Sequence, residues 1–348
     1  MKFAYVNTQN IFPHDIHLID GLRQLGHEVN EICEKGTGIK KYLNLARKIR
    51  TYNKSVNAIF VGYTSPLFVP IVKLMSQHPI IFNAASSQYE ANVVSREEES
   101  FGIFKTIKWL AIDFFSFHFS DKILLESNEQ IKYIKKTFFV SKKKLIRSWT
   151  GLNESEFFFD SSITKRVDFT VLFRGRFLPE SGILTVIQAA KILENQDIKF
   201  LIIGHGYLYR KVNAMMAELS PKNLQMLNNK LSIQELRNLM LSCHISLGQL
   251  ANHPRLDRTL PCKLFESLAL KLPYLTGRNK AALKLLTENK SCICVNPGDE
   301  QDLAKKILEM RNNPIRLETI GNSGYELYKN ELTSKKLAEK IIAECFKK

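Results

Sequence analysis

Three stretches of the sequence place basic side chains and glycines where a predicted strand gives way to a helix. The stretches are FRGRFLPESGI (173–183), IIGHGYL (202–208) and NHPRLDRTLPCKLFE (252–266). The first turn of a helix exposes unpaired N–H groups and carries a partial positive charge, which suits phosphate. A diphosphate therefore fits these stretches better than a neutral ligand does. Full positive charges at the same edge would come from Arg176, Arg255, Arg258 and Lys263.

The third stretch leads into a helix that keeps one carboxylate in an apolar run. In RTLPCKLFESLALKLPYLTG (258–277), apolar residues recur at helical spacing and Pro261 suits a first helical turn. Glu266 lies in the middle of that run. It could pair with Lys263, three residues earlier, for roughly a few tenths of a kcal/mol, or it could be held in place for a ligand.

Each of these signals also has a plain structural interpretation. Arg174 and Arg176 could be surface arginines of a loop, and the glycines of 204–206 could form an ordinary tight turn. The three stretches share one position, because each follows a predicted strand. The carboxyl ends of parallel strands meet at one edge of a sheet, so this shared position favours a binding site.

Length and composition indicate two globular domains and an anionic partner. The chain has 348 residues, more than one hydrophobic core usually serves, and 45% of them are hydrophobic. The net charge of +16 implies attraction to nucleic acid, an anionic membrane surface or phosphate-bearing substrates. The aromatic residues fall in core-like positions instead of alternating with basic ones, so we expect no nucleic-acid partner.

The sequence also bears on the compartment. The start, MKFAYVNTQN, turns polar before a long apolar segment develops, and no window approaches the roughly 20 apolar residues that span a bilayer. Six scattered cysteines lack a complete set of metal ligands, so we expect reduced thiols. These features predict a cytoplasmic protein, with peripheral attachment to the inner face of the cell membrane left open.

Strands alternate with amphipathic helices along the chain, which is typical of parallel sheets covered on both faces. The pattern pauses in the polar stretch TGLNESEFFFDSSITKRVD (150–168) and then restarts. We predict an α/β fold of two doubly wound Rossmann-like domains, 1–160 and 161–325, with a cleft between them. Residues 326–348 are predicted to form a helix that crosses back to the first domain. Residues 324–348 are predicted to be helical throughout.

Two helices of the first domain raise the question of a membrane. The segment 35–54 is basic and amphipathic, so it lies either on anionic lipid or with a solvated basic face. The segment FGIFKTIKWLAIDFFSFHF (101–119) carries Phe and Ile around much of its circumference and is predicted to be a buried packing element, with membrane insertion as the alternative. The basic residues of the first segment include Lys40, Lys41, Arg47, Lys48, Arg50 and Lys54.

The second half resembles the donor domain of retaining glycosyltransferases with two Rossmann-like domains, the GT-B fold of the family 4 type. VLFRGRFLPESGILTVIQAAKIL (171–193) resembles that family's glycine–arginine loop and the helix after it. KFLIIGHGYLYRKV (199–212) resembles its strand with a Gly-x-Gly end, and LPCKLFESLALKLPYLTG (260–277) its nucleotide-sugar helix. Order and spacing match over much of the second half, whereas the first half agrees more loosely.

The resemblance implies roles for individual residues. Glu266 matches the glutamate that hydrogen-bonds the ribose hydroxyls of the donor nucleotide, and Arg176 matches the arginine that neutralises the leaving phosphate. The backbone N–H groups of Thr259 and Leu260 would bind the diphosphate. Arg176 and Lys263 are the predicted catalytic residues. The predicted donor-binding residues are Glu266, Arg174, Thr259, Leu260, Arg258, Ser181 and Gly204.

Two positions depart from the family pattern. Arg258 stands where the family often has a glutamate, eight residues before Glu266, and Ser181 replaces the lysine that partners the loop arginine. The loss of one phosphate cation could remove several kcal/mol of transition-state stabilisation. Lys263 or Arg258 could supply the missing charge from the other side of the pocket.

The resemblance implies transfer of a sugar from a nucleoside-diphosphate sugar to a hydroxyl of a glycan or lipid-linked glycan, in surface polysaccharide synthesis. A UDP-sugar is favoured, with a GDP-sugar as the second choice. We expect no cofactor. The resemblance implies that side chains and helix ends, not a metal ion, neutralise the leaving diphosphate, and the lack of a D-x-D motif is consistent with that. A catalytically degenerate sugar-nucleotide-binding scaffold and a nucleotide-sugar epimerase stay open as alternatives. The predicted acceptor-side residues, which follow first-domain strands, are Asn7, Thr8, His14 and Asn83.

Overall fold

The computed structural model describes residues 1–7, 12–34, 38–52, 55–96, 102–227 and 231–347. The chain divides into two compact α/β units, Met1–Asn153 with Leu332–Lys348 and Glu154–Glu331. The predicted fold class is confirmed, since each unit is built on a parallel sheet of six strands. Some predictions concern residues outside the described part, namely Thr8, Lys35, Lys54 and Phe101.

The first unit contains a sheet covered by helices on both faces. Its strands are β1 (Lys2–Asn7), β2 (Glu28–Cys33), β3 (Ala58–Val61), β4 (Ile80–Ala85), β5 (Lys122–Leu125) and β6 (Leu145–Arg147). Its first six helices are α1 (Pro13–Gln24), α2 (Gly38–Tyr52), α3 (Phe68–Met75), α4 (Gln88–Asn92), α5 (Ile103–Phe119) and α6 (Asn128–Phe138). The strand order is β2-β1-β3-β4-β5-β6. All four residues of β3 are buried, as expected for a central strand of a parallel sheet.

The second unit repeats this plan. Its strands are β7 (Phe169–Arg174), β8 (Ile198–Ile203), β9 (Leu224–Leu227), β10 (Ile245–Leu247), β11 (Tyr274–Gly277) and β12 (Ile293–Val295). Its helices are α7 (Ile183–Ile192), α8 (Tyr209–Leu219), α9 (Ile233–Ser242), α10 (Cys262–Ala269), α11 (Glu300–Arg311) and α12 (Pro314–Leu327). The strand order is β12-β11-β10-β7-β8-β9, and every pairing is parallel.

The end of the chain returns to the first unit. The last helix, α13 (Ser334–Cys345), packs against α1. The prediction of an uninterrupted helix over 324–348 is wrong, because Tyr328–Leu332 forms a π-helical turn and Thr333 has extended backbone with ψ 151°. The boundary between the two units, after Glu331, falls within this turn.

The helix α5 differs from its prediction as a buried packing element. Phe117 is fully buried, but Ile103, Phe104 and Ile107 are 68%, 85% and 54% exposed. When apolar residues surround a helix, the sequence does not reveal which side is buried. In α5 only one side is buried, and it contains Ile112 and Phe117. No helix in the described part of the chain is both long enough and apolar enough to cross a membrane.

The contact between α1 and α13 depends on a glycine and gives a test of the fold. A Cβ atom on Gly21 would lie 2.0 Å from the carbonyl oxygen of Ser334 and 2.8 Å from the Cβ of Ala338. Because the obstacle is backbone, Gly21→Ala should push α13 away and lower the free energy of unfolding by roughly 1–3 kcal/mol. Urea unfolding followed by circular dichroism measures the loss.

A matched variant controls for the added methyl group. Gly102 precedes α5, and no heavy atom lies within 4 Å of the Cβ position there. Gly102→Ala should stay within about 0.5 kcal/mol of wild type. Equal effects of the two substitutions would show that α13 does not need the close approach at Gly21.

Candidate functional site

The candidate site lies where the winding of the second sheet reverses. β7 and β10 are neighbours, and the chain runs outward from β7 through β8 and β9 and from β10 through β11 and β12. Ligands of doubly wound sheets bind beyond the carboxyl ends of the strands at this reversal. Here β7 ends at Arg174, and β10 is followed directly by Gly248.

The loop after β7 is locked to the loop after β8. The Gly175 N–H donates to the Ile203 carbonyl at 2.9 Å, and the Phe177 N–H donates to the His205 carbonyl at 3.1 Å. A Cβ atom on Gly204 would lie 2.0 Å from the Gly175 carbonyl oxygen, so this position has to be glycine. The glycines of 204–206 therefore form a close backbone contact that sets the course of the loop carrying Arg176.

The carboxylate of Glu266 is paired across the site. The α10 helix is buried from Lys263 to Ala269, and the Glu266 side chain is 4% exposed. Its Oε2 forms a close ion pair with the guanidinium of Arg174 at the end of β7. Lys263 does not take part in this pair. The carboxylate in an apolar run is therefore explained by a partner 92 residues earlier in the chain.

The ion pair leaves part of the Glu266 carboxylate available. Only Oε2 contacts Arg174, and no described residue donates a hydrogen bond to Oε1. Burial lowers the pKa of Arg174, and breaking such a pair from one side typically costs about 3–5 kcal/mol. The pair thus holds an acceptor oxygen in a fixed place beside the end of β7.

Lys263 places a second cation at the same edge. Its Nζ donates to the Gly248 carbonyl oxygen at 2.7 Å and lies 4.2 Å from the centre of the Phe173 ring. Burial lowers its pKa to about 7, and the positive charge of Arg174 adds to the shift. Lys263 is 7% exposed, and among the described residues no carboxylate forms an ion pair with it. An anion bound here would supply the missing partner.

Arg176 and Ser181 occupy different surroundings. Arg176 is exposed, and within the described part of the chain it forms no ion pair. Ser181 is buried in the turn before α7, where its Oγ accepts from the Ile183 N–H at 3.4 Å and its carbonyl accepts from the Leu250 N–H at 3.2 Å. Ser181 thus supports the turn in this structure.

A buried ion pair beside the site has no signal in the sequence. Arg255 and Glu180, which are 75 residues apart, pair through Nη1 and Oε1, with side chains 9% and 2% exposed. The charge that Arg255 was predicted to contribute is therefore balanced inside the protein. Pairs at this separation follow no local spacing rule.

The turn before α10 already uses one predicted phosphate donor. The Thr259 N–H donates to the Arg255 carbonyl at 3.1 Å, and its Oγ1 donates to Gln249 Oε1 at 2.9 Å. The Thr259 N–H is consequently not open to a diphosphate in this structure. Leu260 is buried, and Arg258 is half-buried with its N–H donating to Arg255.

In the first unit, the predicted acceptor-side residues converge on a carboxylate that the sequence analysis did not identify. Asp15 is fully buried and accepts from the Tyr5 hydroxyl at 2.7 Å, Asn83 Nδ2 at 2.9 Å and Asn7 Nδ2 at 3.2 Å. The Tyr63 N–H donates to it at 3.1 Å. Asn7 and Asn83 are thus buried structural donors, which is a different setting from an exposed substrate contact.

His14 lies at the edge of this network. It is half-buried, and its ring stacks on Tyr63 with a centroid distance of 4.6 Å. Its carbonyl oxygen accepts from Asn83 Nδ2 at 2.7 Å. The Asp15 network therefore holds the ends of β1, β3 and β4 together and positions an aromatic pair at the carboxyl edge of the first sheet.

Comparison of the sequence with models of protein families establishes the family of this chain. The model described as glycosyl transferases group 1 matches residues 154–327, which is half of the chain. This chain belongs to the group 1 glycosyltransferases. The match contains Arg174, Arg176, Lys263 and Glu266.

Two named relatives agree with this family. An uncharacterised glycosyltransferase of Methanocaldococcus jannaschii is 26% identical over 212 residues, 60% of this chain and 55% of the relative. The capsular polysaccharide biosynthesis glycosyltransferase CapM of Staphylococcus aureus is 24% identical over 183 residues, 50% of this chain and 45% of the relative. The matched part of the chain spans about half the length of each relative.

Solved structures share the fold over the whole chain. Anabaena HepE, in complex with UDP and glucose, superposes with a TM-score of 0.73 at 13% identity and covers 99% of both chains. Sucrose-phosphate synthase from Thermosynechococcus elongatus gives 0.77 at 14% identity, covering 98% of this chain and 97% of that one. The group 1 glycosyltransferase described here thus has the GT-B fold, as predicted.

The low pKa of Lys263 makes stability depend on pH. An unfolded lysine keeps its proton up to a pKa of about 10.4, whereas the folded pKa is about 7. Between these values the unfolded chain binds the extra proton, so the free energy of unfolding rises with pH. From about pH 7 to about pH 9, the free energy of unfolding of wild type should therefore rise, relative to that of Lys263→Met, by up to about 1.4 kcal/mol per pH unit.

Denaturant unfolding at several pH values measures this difference. Groups that titrate in both proteins cancel in the comparison. Lys284 is an exposed lysine of the same unit, so Lys284→Met should show no such pH-dependent difference. Parallel pH profiles for wild type and Lys263→Met would mean that Lys263 remains protonated in the folded protein.

Proposed function

We propose that the protein is a retaining glycosyltransferase that moves a sugar from a nucleoside-diphosphate sugar to a hydroxyl of a glycan or lipid-linked glycan. The observation that carries this proposal is the group at the ends of β7 and β10, where Lys263 has no carboxylate partner among the described residues and lies beside the Arg174–Glu266 pair. Family membership supports transfer chemistry, and the charge arrangement supports a donor with a diphosphate.

The nucleotide binds at the carboxylate. Glu266 Oε1 has no donor among the described residues, so it is suited to accept hydrogen bonds from the two ribose hydroxyls. Its orientation is fixed in advance, because Arg174 holds Oε2 and the α10 helix is buried. We favour UDP as the nucleotide because the structurally similar HepE was crystallised with UDP and with UDP-glucose.

The diphosphate binds between the cations. Lys263 is held at the reversal of the sheet by Gly248, and the exposed Arg176 follows β7 by two residues. An anion beside Lys263 favours its protonated form and offsets the burial that lowers its pKa. Arg176 stabilises the charge that develops on the leaving phosphate, as an electrostatic donor acting mainly in the transition state.

The transfer proceeds with retention. The bond between the anomeric carbon and the diphosphate oxygen breaks, and the leaving phosphate oxygen takes the proton of the acceptor hydroxyl. The acceptor oxygen then bonds to the anomeric carbon on the face from which the diphosphate departs. Lys263 and Arg176 hold the leaving group, which therefore serves as the base for the incoming hydroxyl.

The acceptor belongs to surface polysaccharide synthesis at a membrane. The similarity to CapM, named as a capsular polysaccharide biosynthesis glycosyltransferase, supports this setting. The net charge of +16 supports attachment to an anionic surface where lipid-linked glycans reside. The first unit, with His14 and Tyr63 at its carboxyl edge, is the proposed acceptor side.

Nucleotide binding tests the donor part of this function. UDP, GDP, ADP and CMP at ~100 times their dissociation constants would each add about 2.7 kcal/mol to the folded state when they bind. We expect stabilisation by one diphosphate, UDP first. Glu266→Gln should weaken that nucleotide roughly 10–100-fold, the loss of a hydrogen bond to a charged group. Thermal unfolding and calorimetric titration measure both.

The matched control is Glu288→Gln. Glu288 pairs with Arg278 in the same unit, so the substitution removes an ion pair without touching the ribose position. It should leave nucleotide affinity within about 2-fold of wild type. Unchanged affinity in a folded Glu266→Gln would remove the ribose role. Binding of no nucleotide by wild type would favour a degenerate scaffold instead.

Arg176→Ala tests the leaving-group role. We expect turnover to fall on the order of 10²–10³-fold, with donor affinity changed by less than about 5-fold, because Arg176 acts mainly in the transition state. Release of nucleotide from the donor sugar, with and without glycan acceptors, measures the rate. Arg210→Ala, an exposed arginine of α8, should leave the rate unchanged.

Two results would contradict this assignment. A normal rate in Arg176→Ala would displace Arg176 from the leaving group. Rearrangement of the donor sugar without any acceptor would indicate an epimerase on the same fold.

A further inference from the structure

Neighbouring helices of the first unit expose a group of apolar side chains. α2 packs beside α3, and α3 packs beside α5. Single exposed apolar residues are ordinary on protein surfaces, whereas a group of them on adjacent elements marks an interaction site. We call this group the α2–α3–α5 face, and its apolar members, between 49% and 85% exposed, are Ile39 and Leu43 on α2, Leu67 directly before α3, and Ile103, Phe104 and Ile107 on α5.

The same helices carry an excess of positive charge. The α2 helix contains no acidic residue, and only Lys48 forms an ion pair within the described residues, with Glu34. The excess of positive charge is counted over the helices alone. Glu97, Glu98 and Glu99 precede α5 in the sequence and lie outside the described part of the chain. The basic residues of α2 and of the first half of α5 are Lys40, Lys41, Arg47, Lys48, Arg50, Lys105 and Lys108.

A cavity of about 320 Å³ opens between α2 and α5. Lys41 and Lys108 line it from the two helices, and within the described part of the chain neither ammonium group forms an ion pair. The Trp109 ring also lines it, and its buried Nε1–H has no acceptor among the described residues. Buried donors normally have partners, so the Trp109 Nε1–H is an unmet donor beside the cavity, and the half-buried Lys41 and the exposed Lys108 give the cavity a positive charge that suits an anionic ligand.

The cavity borders the proposed acceptor side. Tyr63 and Thr64 belong to its lining. The ring of Tyr63 stacks on His14, and the Thr64 Oγ1 donates to Asn7 Oδ1 at 3.3 Å. A ligand phosphate between Lys41 and Lys108 would therefore lie beside the residues at the carboxyl edge of the first sheet.

We propose that the α2–α3–α5 face docks on an anionic lipid bilayer, and that the cavity between α2 and α5 receives the phosphate head group of a membrane lipid. Apolar side chains flanked by basic ones are what an interfacial surface requires, since the former enter the head-group boundary and the latter attract anionic lipid. A nucleic acid would match the charge but would leave Phe104 and Ile107 in water. The inference rests on the proposed function only for the lipid-linked acceptor.

Vesicle binding by the full chain tests the face. The probes are vesicles of phosphatidylcholine alone and vesicles with about 30% phosphatidylglycerol, at low and high salt. We expect binding to the anionic vesicles, weakened by salt because the charges are exposed, and a loss in Phe104→Ser combined with Ile107→Ser. Ile315 is 80% exposed in the second unit, and Ile315→Ser should bind as wild type does.

Matched pairs of charge substitutions test the cavity. Each basic residue near an anionic membrane strengthens binding about 5-fold, so the loss of two charges by itself accounts for about 30-fold, and Lys41→Gln with Lys108→Gln should weaken binding by more than that. Lys40→Gln with Arg47→Gln removes the same charge outside the cavity lining and should weaken it less. Equal losses would overturn the head-group site, because charge alone would then account for the binding.

Other outcomes separate this proposal from the donor function. The docking surface would be overturned if the protein bound no vesicles and instead bound duplex DNA in a salt-sensitive way. It would also be overturned if the protein bound no vesicles and self-associated, and Phe104→Ser with Ile107→Ser abolished the self-association. UDP binding is measured on the same variants without vesicles and should stay within about 2-fold of wild type, since the face contains none of the proposed nucleotide contacts. Vesicle binding without nucleotide binding would sustain the docking surface and contradict the donor function.

Discussion

The candidate site depends on one partly buried ion pair, between Arg174 and Glu266. Arg174 ends β7, and Glu266 lies on the buried α10 helix, so the pair ties a strand to a helix at the reversal of the second sheet. Removing either partner would leave an uncompensated charge in a low-dielectric setting, which typically costs about 3–5 kcal/mol. The two side chains therefore constrain each other, and the unused carboxylate oxygen has a defined position.

The pair also explains why Lys263 is unusual. Glu266 is committed to Arg174, so the nearest carboxylate on the same helix cannot neutralise Lys263. Lys263 instead donates to the Gly248 carbonyl and lies against the Phe173 ring, both weak substitutes for an anion. A buried cation in this state is destabilised in the free protein and stabilised by a bound phosphate. The same arrangement that depresses its pKa thus favours a diphosphate ligand.

The first unit uses a buried carboxylate differently. Asp15 accepts from four neutral donors, three of them side chains, and binds the ends of three strands together. No cation balances it directly in these contacts, and its role is to position His14 and Tyr63. Within the described residues, Lys41 on α2 and Lys108 on α5 form no ion pair, and they lie at the surface beside exposed apolar residues. The second unit therefore concentrates its unbalanced charge at the carboxyl edge of its sheet, and the first unit concentrates it on the surface of α2 and α5.

The sequence by itself determined the fold class, because alternating apolar strands and amphipathic helices are local patterns that only parallel, covered sheets satisfy. It also determined the family, through FRGRFLPESG and LPCKLFE. The tertiary structure alone decided which charges pair, since Arg174 with Glu266 and Arg255 with Glu180 are 92 and 75 residues apart. It likewise decided that the Thr259 N–H is used by a turn and that α5 buries one stripe only. Pairing energies and burial depend on what lies opposite each side chain, and that is a property of the packed chain rather than of local spacing.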